Sequence, residues 1–186
     1  MQNKKYMNEF IKLTCAPDML AQKFFPNAKE ITESMAAYNA VRTTLQNKYS
    51  DIKFDKKGVV VVCPGDGKRP RTGALFAYRS TWDCISIDPA LKMDVTYSTK
   101  RLTLHKNLME EVRLDLTSYL CTIIVLVHAH VKIPVVLKNI KAQTLHMVAI
   151  PCCVPQEIPN RPYVGYQDTG IWSPQNTVKI WTDIRR

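Results

Sequence analysis

One stretch restricts what this chain can fold into more than any other: Gly58-Val59-Val60-Val61-Val62-Cys63, closed by Pro64-Gly65-Asp66-Gly67. A β-branched run without polar alternation predicts a strand covered on both faces, as in the middle of a parallel sheet. Gly65 and Gly67 mark a tight turn, because glycine takes backbone angles that a Cβ penalises and lets a ligand approach the main chain. Thr72–Tyr78 follows as a helix with Leu75 and Phe76 available for packing. Cys84-Ile85-Ser86-Ile87-Asp88 then reads as a second strand ending on an acid. This order of strand, glycine turn, helix, strand and acid is how α/β folds assemble a nucleoside site. The N–H groups opening the helix face the ligand, and the acid about twenty residues on accepts from ribose hydroxyls.

The rest of the chain extends that unit. Arg101–His105, Ser118–Val127 and His146–Ile150 read as third, fourth and fifth strands, and Ile133–Ile140 as a helix with Pro134 in its first turn. Arg161–Gln167 and Thr177–Ile184 form a hairpin, since too few residues separate them for a crossover helix. Ahead of the sheet, Phe10, Ile11, Leu13, Leu20, Phe24 and Phe25 mark a helical segment broken near Ala16-Pro17. Ile31, Met35, Ala36, Tyr38, Val41, Leu45 and Tyr49 follow helical spacing, with Thr32-Glu33-Ser34 on the wet face. The expected fold is α/β and Rossmann-like: a mostly parallel sheet, a C-terminal antiparallel hairpin and an N-terminal helical extension. Residues 1–50 form the extension and 51–186 the Rossmann-like domain.

Composition narrows the setting. The 186 residues are 46% apolar and 23% charged, values of one globular domain. The longest apolar run, Cys121–Val127, is too short to cross a bilayer, and no apolar h-region follows the basic N-terminus. Six scattered cysteines without a C-x-x-C pair suit reduced thiols in the cytoplasm, with neither a disulfide framework nor a metal site. Lys and Arg number 26 against 16 Asp and Glu, a net +10 that attracts polyanions, RNA foremost.

The glycine turn is not a phosphate-binding Walker loop, because Arg69 rather than Ser or Thr follows Lys68. Nor is it a dinucleotide fingerprint, since Pro70 stands where the last glycine is needed. From Lys57 onward the chain instead resembles the class I, Rossmann-like S-adenosylmethionine-dependent methyltransferases. The resemblance rests on the glycine turn, the acid at the second strand's end and the terminal hairpin. It implies S-adenosylmethionine as cofactor, with Pro64, Gly65, Asp66 and Gly67 passing under its amino-acid part and Asp88 holding its ribose. Two departures stand out. Pro89–Lys100 leaves little room for the usual helix, and Val127-His128-Ala129-His130 replaces the Asn-Pro-Pro-Tyr or Asp-Pro-Pro-Tyr signature of amino-group methylation.

Other chemistry gathers at the same edge. Strand alternation points His128 and His130 to one face, where either could serve as general base or orient an acceptor. Cys152 and Cys153 point apart if the chain there is extended, so they are expected to pack rather than share a metal or form a redox couple. Lys68, Arg69 and Arg71 suit an anionic substrate. Trp82, Tyr163, Tyr166 and Trp172 either stack on bases or simply pack. Three functions follow: a methyltransferase acting on RNA or another polyanion, a catalytically silent methyltransferase-like module for nucleic-acid binding or assembly, and a different nucleotide-using enzyme on the same sheet.

Overall fold

A computed structural model describes residues 3–48, 58–93, 99–153, 157–158, 161 and 163–184, so Lys57, Tyr49 and the 50/51 boundary lie outside the described residues. The elements in order are α1 (Lys5–Phe10), α2 (Ala16–Ala21), α3 (Ala28–Lys48), β1 (Val59–Pro64), α4 (Arg71–Arg79), β2 (Asp83–Ile87) and β3 (Leu102–His105). There follow β4 (Leu114–Asp115), β5 (Cys121–Val127), α5 (Ile133–Asn139), β6 (Ile140–Lys141), β7 (Leu145–Ile150), β8 (Val164–Gln167) and β9 (Thr177–Trp181).

Seven strands form one sheet in the order β3-β2-β1-β5-β7-β9-β8. The pairs from β3 to β7 are parallel, while β9 is antiparallel to β7 and β8 to β9. Every residue of β1, β5 and β7 is buried, whereas the edge strand β8 is exposed throughout. A central strand therefore reads as an unbroken apolar run because both its faces are covered. Val59, Val61 and Cys63 pack with α1, α3 and α4; Val60 and Val62 pack with Ile133 and Val136 on the opposite side. Each such apolar side chain contributes roughly 1.5–3 kcal/mol on burial. The expected Rossmann-like sheet with its terminal hairpin is present.

The first helical segment is interrupted ahead of Ala16, as expected, and Pro17 sits in the first turn of α2, in keeping with its fixed φ and missing N–H. Several details differ. The strand expected from Ser118 begins at Cys121, and a small parallel ladder of β4 with β6 was not foreseen. Thr32, Glu33 and Ser34 are not a wet face: all are buried. Ala36, Ala37 and Ala40 are small enough to bring α3 close to the sheet, so a second side of the helix is covered as well. The Thr32 and Ser34 hydroxyls are absorbed by neighbouring groups. Thr32 donates to the Lys29 carbonyl and accepts from the Trp172 N–H, and the Ser34 and Thr72 hydroxyls lie 3.1 Å apart. No helix among the described residues is long and apolar enough to cross a membrane.

Candidate active site

Strand order reverses between β1 and β5, and open α/β sheets leave a crevice at the carboxyl ends of such strands. A cleft of about 340 Å³ lies there, lined by Gly65, Gly67, Arg71, Asp88, His128 and His130 among others. That volume is within the ~300–1,000 Å³ usual for small-molecule sites.

The turn under the cleft is fixed by its own backbone. Gly65 has φ +71°, and a Cβ there would stand 2.9 Å from the Ala129 Cβ, so turn and β5 loop touch main chain to side chain. Its N–H donates to the Ile87 carbonyl at 2.7 Å. Gly67, with φ +82°, donates its N–H to Asp88 Oδ2 at 2.9 Å, while Oδ1 accepts from the Ala90 N–H at 2.8 Å. Asp88 thus lines the cleft in a set orientation. A carboxylate has about four lone-pair sites, so acceptor capacity is left for hydroxyl groups of a ligand.

Asp66 has a different task from the one its position suggested. Its buried carboxylate accepts from the Thr72 N–H at 3.0 Å, the Gly73 N–H at 2.9 Å and the Ser86 hydroxyl at 2.7 Å. Burial pushes its pKa up, against the pull of Arg71 and these hydrogen bonds. Pro70 at the N-cap offers no side-chain acceptor, and Asp66 supplies it from the preceding turn. The opening amides of α4 are therefore engaged inside the protein, since Arg71 and Ala74 also donate to the Arg69 and Pro70 carbonyls. They do not face a ligand as expected. Pro64 ends β1 beneath the turn and does not line the cleft.

The two histidines both reach the cleft but are not equivalent. The strand stops at Val127, and His128 has φ +51°, so the alternation assumed from sequence does not run through them. His128 Nε2 is buried, 3.5 Å from Glu33 Oε1, and the same oxygen is ion-paired with Lys29 Nζ at 3.6 Å. Burial, aided by Lys29 and Arg71, lowers the His128 pKa to about 4, while burial raises that of Glu33. With the ring uncharged near neutral pH, the contact is not an ion pair. His130 instead sits at the surface, its Nε2 3.3 Å from Cys153 Sγ.

Of the three cations flanking the turn, Arg71 alone lines the cleft, and its Nη1 is bonded to Glu30. Lys68 and Arg69 line an adjoining groove of about 530 Å³, together with Arg71, Lys23 and Lys92. The aromatics mostly pack. Trp82 is buried and stacked on Phe76, Tyr163 lies against Trp181, and the Trp172 indole N–H donates to the Asn3 carbonyl.

No protein-family model and no curated protein sequence matches this chain. Solved structures do. Magnesium protoporphyrin IX methyltransferase from Synechocystis with bound SAM aligns at a TM-score of 0.50 and 12% identity, over 97% of this chain and 95% of that one. A mutant of MtNAS in complex with S-adenosylmethionine aligns at 0.49 and 11% identity, over 97% of this chain and 71% of that one. The chain has the class I methyltransferase fold.

Within that methyltransferase fold, sequence reasoning found the turn and Asp88 but missed two groups. Glu33 comes from α3, outside the Rossmann-like unit; the alanines beside it were the signal that this helix is covered on more than one side. The loop Asn107–Glu110 after β3 also lines the cleft. No residue pattern in it announced a site.

Proposed function

We propose that the cleft binds S-adenosylmethionine and that the protein is a methyltransferase of the reducing cytoplasm acting on RNA or another polyanion. The observation that carries the reading is the meeting of the Gly65–Gly67 turn, Asp88 and the end of β5 at the sheet's switch point. The residues present fit the cofactor: Asp88 retains acceptor capacity for ribose hydroxyls, and a Cβ on Gly67 would meet nothing nearer than Arg71 Nη1 at 3.4 Å. When bound, S-adenosylmethionine supplies an electrophilic methyl group. The chain's part is to place an acceptor beside it, and orientation alone accounts for a large share of such rate gains. With its pKa held near 4, His128 is a weak base, better suited to shaping the wall than to removing a proton. The groove of Lys23, Lys68, Arg69, Arg71 and Lys92 supports an anionic acceptor that enters from that side.

One observation favours the silent-module reading: the His128 ring faces Glu33 and the His130 ring faces Cys153. Calorimetry with S-adenosylmethionine, S-adenosylhomocysteine, NAD and ATP tests the cofactor first. Asp88→Ala should weaken S-adenosylmethionine binding by roughly 1–3 kcal/mol, the scale of a charged hydrogen-bond partner. Folded wild type that binds no adenosine ligand overturns the reading. Replacing Lys68, Arg69 and Arg71 with Ala should then flatten the salt dependence of RNA binding, because fewer counterions are released. Cofactor and RNA binding without methyl transfer to any RNA would leave the silent module.

A further inference from the structure

Beside the cleft, the loops that leave β5 and β7 bring three soft donors together. Cys153 Sγ lies 3.3 Å from His130 Nε2 and 3.7 Å from Cys152 Sγ. All three ligand atoms lie within 4.8 Å of one another. The expectation that the adjacent cysteines point apart assumed an extended chain. Instead β7 ends at Ile150, Pro151 follows, and the backbone bends at Cys153, which turns both sulfurs to one side.

We propose that His130 Nε2, Cys152 Sγ and Cys153 Sγ bind one zinc ion whose fourth position opens at the cleft that His130 lines. Zn–S bonds of about 2.3 Å and a Zn–N bond of about 2.0–2.1 Å in a tetrahedron hold two sulfurs about 3.8 Å apart and sulfur and nitrogen about 3.5 Å apart. Both contacts fall within a few tenths of an ångström of these edges, and the third, between Cys152 Sγ and His130, lies within 4.8 Å, so it is the edge that shortens as the donors close on the ion. One imidazole and two thiolates are donors for zinc rather than for magnesium or calcium, which take oxygen. Binding releases the two thiol protons, and the two thiolate charges cancel that of Zn²⁺, so the ion adds nothing to an already basic protein. Three protein ligands with one position left open is the pattern of reactive rather than purely structural zinc. Such a position takes water, or a thiol or hydroxyl of a molecule in the cleft. The zinc site does not rest on the cofactor reading and is measured without any cofactor.

The test uses the whole chain, reduced and metal-free, titrated with Zn²⁺ against a chromophoric chelator and with Co²⁺ as a spectroscopic probe. One equivalent of zinc should bind, and the cobalt form should show thiolate charge-transfer and tetrahedral ligand-field bands. His130→Ala should weaken zinc by about a hundredfold or more, the upper end of what losing even an outer hydrogen-bond partner costs. Cys152→Ser and Cys153→Ser should each diminish the charge-transfer band, and Cys15→Ser should leave it intact. Zinc uptake by the Cys152→Ser/Cys153→Ser double variant equal to wild type overturns the proposal. So does a wild-type cobalt spectrum without thiolate bands. A Cys152–Cys153 disulfide that persists under cytosolic glutathione and excludes zinc also overturns it.

Discussion

The turn after β1 and the loop after β5 wall the same cleft, with the loop after β7 backing the second wall at His130, yet the two sides are held in different ways. In the turn, the polar groups are satisfied within the β1–β2 unit: Gly65 by Ile87, Gly67 by Asp88, and the opening amides of α4 by Asp66. At the ends of β5 and β7, side chains meet across the fold, Glu33 with His128 and Cys153 with His130. The first region is backbone architecture, in which a Cβ added at Gly65 runs into the main chain of Ala129. The second is side-chain convergence on backbone that is already settled. Substitutions in the turn should therefore cost stability first and ligand binding as a consequence, and those at the strand ends should do the reverse.

Gly65→Val is the harshest test. The left-handed φ disfavours a β-branched residue, and its Cβ would start 2.9 Å from the Ala129 Cβ and 3.2 Å from the Ala129 Cα. Strain and overpacking together should remove roughly 2–4 kcal/mol of stability, read by denaturant unfolding, and abolish adenosine-ligand binding. A variant as stable as wild type would mean that the turn and the β5 loop do not touch as described.

Asp66→Ala should come next. It leaves two buried amides and the Ser86 hydroxyl without their acceptor, at roughly 1–3 kcal/mol. Asp66→Asn keeps one acceptor oxygen and should recover part of the loss. Ligand affinity, measured where each variant is fully folded, should change little, because this carboxylate caps α4 and does not line the cleft. A large loss of affinity at unchanged stability would return Asp66 to the ligand.

These two residues also show how far a sequence can be read. The strand, turn and acid were visible because each depends on short-range rules: β-branching, glycine at positive φ, an acid at a strand end. The role of Asp66 was not, because Gly-Asp-Gly reads the same whether the carboxylate turns outward to a ligand or inward to the next helix. That choice is made by Pro70, which lacks a capping side chain, and by Ser86 arriving from β2. Glu33 was misplaced for a related reason. Its apolar residues at helical spacing were read as one face, whereas Ile31–Tyr38 are buried without a break, and only the small alanines hinted that the sheet covers another side. The His130–Cys152–Cys153 cluster depended on a bend after Pro151 that residue alternation does not encode.

Gly67→Ala separates conformational strain from steric contact within the turn. Gly67 shares the left-handed backbone of Gly65, but the nearest atom to an added Cβ is the flexible Arg71 Nη1 at 3.4 Å. About 1 kcal/mol of destabilisation is expected, the cost of a left-handed non-glycine residue alone. A penalty matching that of Gly65→Val would place both glycines under contact strain.

The smallest effect belongs to the strand ends. Cys152 is half-buried and Cys153 exposed, and their polar contacts include weak thiol interactions with the His128 carbonyl at 3.7 Å and with each other at 3.7 Å. Serine matches the thiol in shape, so the Cys152→Ser/Cys153→Ser double variant should unfold within about 0.5 kcal/mol of metal-free wild type, as surface changes usually do. Zinc should then separate the two proteins. A ligand that binds only the folded chain stabilises it by about 2.7 kcal/mol at a hundred times its Kd, so wild type should rise in zinc and the double variant should not. If the pair diverges without metal, the sulfurs are packing groups and the contrast between turn and strand ends fails. If the two unfold alike without metal and only wild type responds to zinc, one wall of the cleft is built to hold the fold and the other to hold an ion.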